Sequence, residues 1–289
     1  MIDSQRGGIP MLNVVTGISA EQRARLDEWL GRWEVLADHS WPLQDTTVLH
    51  VRSASGDHIV KMSMGLSHEI DACRRAAALL PDRAPRLEHH DARAEILVTS
   101  YLPGELVEGT PAEADPDVYR QAGEILARLQ APAEVSDTYA EQALAAVSRR
   151  IAEATGLVSG SQLDALGERA ARFTPRPVRL YFTHGDYQPR NWVIDNGRVG
   201  VIDFGRGQDR SWVSDLVRLQ NQQFTGHPER ERAFMAGLGR TVESEDAELL
   251  AIESMRQALG TVTWAHGIGD RDFEEHGRTM ITRLLRQGM

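Results

Sequence analysis

The chain is 289 residues long, 41% hydrophobic and 26% charged, enough for one large or two ordinary domains with their own core and unlike a disordered tract. Its single cysteine, Cys73, excludes an intramolecular disulfide and a thiolate zinc cage within one chain. A formal net charge of −10, from 42 acidic against 32 basic side chains, speaks against a nucleic acid partner; with neither a secretory h-region in Met1–Pro10 nor an apolar run of membrane-spanning length, the expectation is a cytoplasmic protein with no membrane partner.

In chain order, Ser19 with Gln22 reads as a capping box opening a helix that runs to about Asp38, with Leu26, Leu30, Trp33 and Ala37 at helical spacing and Trp29 and Leu36 widening the stripe. Thr46–Arg52 and His58–Met62, joined by Ser55-Gly56-Asp57, predict a β-hairpin ending near Lys61. Ser67–Leu80 is helical in composition and stops at Pro81, and Glu95–Ser100 is a short apolar strand ended by Pro103-Gly104. Asp115-Pro116 caps a further helix with Val118, Ala122, Ile125, Leu126 and Leu129 on one face. Beyond it helices are expected near 138–154, 160–172, 212–224, 228–238, 244–266 and 272–286. The exception is 179–204, where Leu180–Thr183 reads as a strand and Trp192–Ile194 and Val199–Ile202 flank an Asn196-Gly197 turn. The segment Pro103–Pro111 divides a sheet-bearing front part, 1–103, from a helical back part, 104–289. Trp29, Trp33, Trp41, Trp192 and Trp212 are core candidates, and His89-His90 reads as a surface loop pair.

Two biases of charge stand out. Of the 32 basic residues 31 are arginine and only Lys61 is lysine, which marks Lys61 for a place where a compact ammonium on a phosphate is needed. Residues 241–276 hold nine carboxylates against Arg256 and Arg271; this is a solvated helix face or a funnel for a cationic substrate.

Chemistry gathers around the second hairpin. Asp186 and Asp203 closely follow apolar strands, which places their carboxylates at a cleft mouth, and the tight hairpin brings Asn191 and Asp203 to the same end of two neighbouring strands. Two such oxygens suit Mg²⁺, which completes its octahedron with water and phosphate. Asp186, one loop away, can accept a proton from an incoming hydroxyl or hold it in line.

The run His184-Gly185-Asp186-Tyr187-Gln188-Pro189-Arg190-Asn191, with Val201-Ile202-Asp203-Phe204-Gly205 placing its aspartate twelve residues beyond the asparagine, resembles the catalytic and metal-binding loops of aminoglycoside phosphotransferase and choline kinase-like small-molecule kinases. The resemblance implies an α+β, protein-kinase-like bilobal fold, with a small antiparallel-sheet N-lobe and a mainly helical C-lobe. It implies Lys61, in His58-Ile59-Val60-Lys61, as the phosphate-binding lysine, Glu69 as its ion-pair partner, and Ser100, Tyr101 and Leu102 as part of the hinge whose backbone holds adenine. It further implies Asp186 on the acceptor, Asn191 and Asp203 on Mg²⁺, and Asp215 as the buried brace of the catalytic loop. No Gly-rich loop precedes the hairpin; Pro42-Leu43-Gln44-Asp45-Thr46-Thr47 stands in its place, so Thr46 or Thr47 is expected over the phosphates. Gln130 stands where the family's helix usually ends in histidine. No Ala-Pro-Glu segment follows Phe204-Gly205, which argues against protein substrates.

The activity implied is transfer of the γ-phosphoryl group of ATP or GTP, with Mg²⁺, to a small-molecule hydroxyl by a monomer or homodimer. The acidic C-terminal part points to a cationic antibiotic, an aminoglycoside or a basic cyclic peptide, and Trp264, with Asp270 and Glu274, is a candidate for its pocket, although packing of the last helices explains these residues equally. Competing readings are a metabolic kinase for choline, a sugar or an amino alcohol, a catalytically dead nucleotide-binding regulator, and a metal-dependent hydrolase.

Overall fold

The computed structural model describes residues 18–40 and 46–286; Met1–Pro10, Trp41 and Pro42–Asp45 lie outside the described residues. Backbone contacts divide the chain into two compact units, one holding the described residues up to Leu66 together with Glu88–Thr99, the other Ser67–Leu87 and the chain from Ser100 on. The architecture is α+β, with a small sheet in the first unit and mainly helices in the second.

Helix α1, Ala20–Leu30, opens with the predicted capping box of Ser19 and Gln22. It ends eight residues earlier than the spacing suggested. Gly31 turns to φ 64° and its N–H returns to the carbonyl of Asp27, a conformation without penalty only at glycine. Trp33–Asp38 is instead strand β1, paired antiparallel with β2, Thr46–Ser53. Trp33 and Ala37 satisfy a period of two, with Val35 between them, as well as they satisfied a helical stripe, and the ladder decides; Leu36, which widened that stripe, faces out, 40% exposed. Strand β3, Gly56–Ser63, closes the expected hairpin, with the reversal on Ala54-Ser55. The five-stranded order is β1-β2-β3-β5-β4, where β4 is Leu87–Asp91 and β5 Ile96–Ser100. His89 and His90 are therefore strand residues rather than a loop pair, and His89 stacks on Trp29 at 5.3 Å. Leu26 and Leu30 of α1 pack on Leu49, Val51, Val60, Ile96 and Val98 to make this unit's core.

The second unit starts with α2, Ser67–Leu79, and the two-residue strand β6, Glu105–Leu106. Next come α3, Pro116–Leu129, capped by the Asp115 side chain, and β7, Pro132–Ser136. Helices α4, Tyr139–Glu153, and α5, Gly160–Ala171, precede strand β8, Val178–Thr183. Strands β9, Trp192–Asp195, and β10, Arg198–Val201, form the predicted hairpin, with Asn196 and Gly197 both at positive φ as its two-residue turn requires. Strand β11, Gln208–Arg210, leads to α6, Leu216–Asn221, and α7, Pro228–Leu238. Helices α8, Ser244–Ile268, and α9, Arg271–Arg286, complete the described chain. Two three-stranded sheets, β10-β9-β6 and β11-β8-β7, carry the loops between β8 and β11. The aromatic centre of the core is Trp192, Tyr187, Tyr119, Phe224 and Phe234. Trp192 and Trp212 are buried as expected, while Trp29 and Trp33 are only half-buried. No described helix is long and apolar enough to cross a membrane.

Candidate active site

The loop from His184 to Asn191 leaves β8 and enters β9 through a short 3-10 turn, Pro189–Asn191. Its shape is imposed from below. Asp215, 2% exposed, accepts the backbone N–H of Gly185 at 2.7 Å on Oδ1 and that of His184 at 3.0 Å on Oδ2. Burial raises the Asp215 carboxyl, against the His184 ring, these two N–H groups and Arg210. Gln130 reaches the same brace: its amide nitrogen donates to the carbonyl of Trp212 at 2.9 Å and to Asp215 at 3.4 Å. The His184 ring links both functional loops, Nε2 donating to the carbonyl of Ile202 at 3.0 Å and Nδ1 accepting the N–H of Asp186 at 3.2 Å. It orients the loop rather than a metal. Tyr187, fully buried, ties the loop to α3 through its hydroxyl on the carbonyl of Ala122 at 2.7 Å. At Gly185 a Cβ would meet the Arg210 guanidinium at 2.3 Å and the Arg206 carbonyl at 2.4 Å, so no other residue fits.

Asp186, 5% exposed, sits at the top of this scaffold. Its Oδ1 accepts the Gln188 amide at 2.5 Å and forms an ion pair with Arg218, whose Nε lies 2.6 Å away, and its Oδ2 accepts a guanidinium N–H of Arg190 at 2.6 Å. Burial alone pushes the carboxyl up, but Arg218, Arg190 and Arg206 together outweigh it and hold it below the usual carboxylate range. Arg218 is itself brought down to about 10 by burial, against the attraction of Asp186.

Asn191 and Asp203 stand where the sequence placed them. The N–H of Ile202 donates to the carbonyl of Asn191 at 2.9 Å, which sets the two strand ends side by side. The Asn191 amide nitrogen is fixed on the carbonyl of Asp186 at 2.8 Å, which leaves Oδ1 as the atom that could hold a cation. Asp203 takes φ 62°, a left-handed conformation that aspartate tolerates better than most residues and that is common at functional sites. These hard oxygens fit Mg²⁺. No group of three or more His, Cys, Asp or Glu able to hold a metal occurs among the described residues. Glu69, on α2 and buried, places its carboxylate near Asp203: both approach within 3.1 to 3.3 Å of the position a Cβ would occupy at Gly205.

Lys61 lies on β3 opposite Val48. Thr46 and Thr47 begin β2 in the same sheet unit, opposite Ser63 and Met62, and the Thr46 hydroxyl donates to Ser63 at 3.1 Å. Ser100, Tyr101 and Leu102 line a cavity in the helical unit with Arg83, Val193 and Gly200, and Ser100 is bound at both N–H and hydroxyl to the backbone of Arg86. Trp264 is 40% exposed and meets Phe273 edge-on at 5.8 Å. Asp270 accepts the N–H of Phe273, and Glu274 pairs with Arg278 and His266.

The acidic excess of 241–276 is largely engaged. Glu245 and Glu248 flank Arg176, Asp246 accepts the Trp212 indole N–H, and Glu253, 2% exposed, binds Arg256 and Tyr139. Of the two readings of this stretch, a solvated helix face or a funnel for a cation, the helix caps and ion pairs favour the first. What sequence reasoning left without a role is the arginine set around Asp186. Arg190 lies inside the motif, but Arg218 has no local signal: in a chain with 31 arginines only the fold singles it out.

The model of the family described as phosphotransferase enzyme family, APH, matches residues 58–250. Among solved structures, the chain is similar to macrolide 2'-phosphotransferase MphH from Brachybacterium faecium, at 17% identity over 90% of this chain and 97% of that one, with a TM-score of 0.61. It is similar to APH(2″)-IIIa solved with GDP and kanamycin, at 13% identity over 94% and 100% of the two chains, TM-score 0.67. A thermostable mutant of aminoglycoside phosphotransferase APH(4)-Ia solved with AMP-PNP and hygromycin B gives 13% identity over 93% and 99%, TM-score 0.70. These likenesses show the fold, which is protein-kinase-like. No curated protein matches the chain.

Proposed function

Because the chain belongs to the phosphotransferase enzyme family, we propose that it moves the γ-phosphoryl group of ATP or GTP to a hydroxyl of a small molecule, an antibiotic being the class suggested by the kanamycin and hygromycin B complexes of similar structures. The observation that carries this reading is the convergence of Asp186, Asn191 and Asp203 on one pair of loops braced by Asp215 and His184. Asn191 and Asp203 are the residues that would hold Mg²⁺, which when bound neutralises charge on the β- and γ-phosphates. The nucleotide-binding part is 1–103, where Lys61 meets the phosphates with Glu69 as its partner, Thr46 and Thr47 cover them, and Ser100, Tyr101 and Leu102 hold adenine. The acceptor lies over 104–289, against Asp186, with Trp264, Asp270 and Glu274 as outer lining.

Phosphoryl transfer through a loose transition state asks the protein chiefly for positioning and charge. The acceptor oxygen bonds to the γ-phosphorus, the bond from that phosphorus to the β–γ bridging oxygen breaks with its electron pair leaving on the nucleoside diphosphate, and the hydroxyl proton passes to Asp186. A carboxylate held below its usual range is a weak base, so Asp186 acts first by fixing the hydroxyl in line. The test is release of ADP or GDP with Mg²⁺ across antibiotics and small metabolic alcohols. Asp186→Ala is expected to keep nucleotide binding and lose turnover by about 10²–10⁴-fold or more. Wild-type-like turnover in that variant would refute the assignment.

A further inference from the structure

Asp186 is surrounded by more positive charge than it neutralises. Arg218 and Arg190 both bind its carboxylate at 2.6 Å, and Arg206 adds a third guanidinium within electrostatic reach. Glu108, exposed on the loop before α3, also acts on Arg190, yet three guanidinium groups against two carboxylates leave the cluster positive. On helix α9, His276 has a partly buried ring held below its usual range by burial, by Arg283 of the same helix and by Arg218 of α6. This is the wrong surrounding for a polycation.

The two arginines on Asp186 are not equivalent. Arg218 is 12% exposed and Arg190 44% exposed, on the short turn before β9. Oδ1 is crowded by two groups, the Gln188 amide that it accepts and the ion-paired Nε of the buried Arg218 at 2.6 Å, whereas Oδ2 meets Arg190 alone among the contacts described. A carboxylate oxygen has two lone pairs, so Oδ2 is the atom open to an acceptor hydroxyl, and Arg190 is the group that stands beside that hydroxyl or yields to it. An arginine fork released or shared in this way matches a carboxylate or phosphate in two parallel hydrogen bonds.

We propose that Arg190 is a specificity-determining residue that binds an anionic group of the acceptor, and that the acceptor is a hydroxy compound carrying a carboxylate or phosphate close to the reacting hydroxyl, not a polycation. The proposal rests on Asp186 facing the acceptor, as proposed above. The γ-phosphoryl group offers oxygens of the same chemistry, so the experiment separates the two sources.

Matched alcohols are titrated calorimetrically into the full chain without nucleotide: glycerate against glycerol, glucose 6-phosphate against glucose, pantothenate against panthenol, and kanamycin as the polycation. At least one acid is expected to bind about tenfold or more tighter than its neutral partner, the size of one charge-assisted hydrogen bond. Arg190→Gln should collapse that preference, Arg190→Lys should restore part of it, and ATP affinity in both variants should stay within about twofold of wild type, well under one such hydrogen bond. Three results overturn the proposal: no acid preferred over its partner, a preference that survives Arg190→Gln, or a loss in Arg190→Gln that falls on ATP affinity instead, which assigns Arg190 to the triphosphate. Because binding is read without turnover, an enzyme inactive on every alcohol but retaining the Arg190-dependent preference would sink the phosphotransfer reading and leave this one standing.

Discussion

Asp215 shows how one buried carboxylate sets the geometry of a whole loop. Its two oxygens satisfy consecutive backbone N–H groups, of His184 and Gly185, that no helix or sheet partner could reach. Asp215→Asn keeps the volume but replaces one acceptor by a donor and removes the charge. Each charge-assisted hydrogen bond is worth about 1.5–3 kcal/mol, so a loss of that order is expected in urea unfolding, together with a fall in turnover as Asp186 loses its support. Unchanged stability and unchanged turnover would show that the brace is incidental. The sequence pointed to Asp215 through its place in Ser214-Asp215-Leu216, but the partners of its oxygens depend on a loop 30 residues away.

At the scale of elements, helices α3 and α7 approach so closely that side chains are excluded from the contact. A Cβ at Gly123 would lie 2.1 Å from the carbonyl oxygen of Phe234, and one at Gly237 would lie 2.0 Å from that of Arg120. Gly237→Ala must push the helices apart and is expected to destabilise by about 1–3 kcal/mol or more. Gly260→Ala, on α8 where the nearest atom is the flexible Arg150 side chain at 3.6 Å, should be neutral or stabilise by up to about 1 kcal/mol, since alanine is the better helix former. Thermal melts of the two variants check the contrast, and equal melting points would contradict it. The helix starts at Ser19 and Asp115 and the Asn196-Gly197 turn were legible because their signals are local. Strand β1 was not, because Trp33 and Ala37 fit two periodicities and only the pairing with β2 selects one.

For the whole molecule, the single lysine offers a direct probe. Lys61 carries the only side-chain ammonium in the chain, so an amine-directed reagent should label it and the N-terminus, and Mg-ATP or Mg-GTP should protect Lys61 alone. Protection of neither would remove Lys61 from the nucleotide site. A ligand at 100 times its dissociation constant stabilises the native state by about 2.7 kcal/mol; the nucleotide that raises the melting temperature at the lower concentration is the natural donor. Chelation of Mg²⁺ should abolish most of that shift, as should Asp203→Asn, and a shift indifferent to both would place the nucleotide elsewhere. The net charge of −10 contributes solubility and excludes polyanions at long range, but it does not describe the surroundings of Asp186, where arginines prevail.

The sequence by itself determined which side chains are the candidates for the chemistry and in what order they occur, because the His184–Asn191 run and Asp203 are contiguous or nearly so, and because local rules fix strand ends, caps and a two-residue turn. Tertiary structure alone decided the charge those side chains experience. Arg218 reaches Asp186 from 32 residues away, and the carboxylates of 241–276 are neutralised by partners such as Arg176, also distant in the chain. Electrostatic interaction falls with distance in space and not with separation in sequence, so a count of charges along the chain cannot give the sign of the potential at one atom.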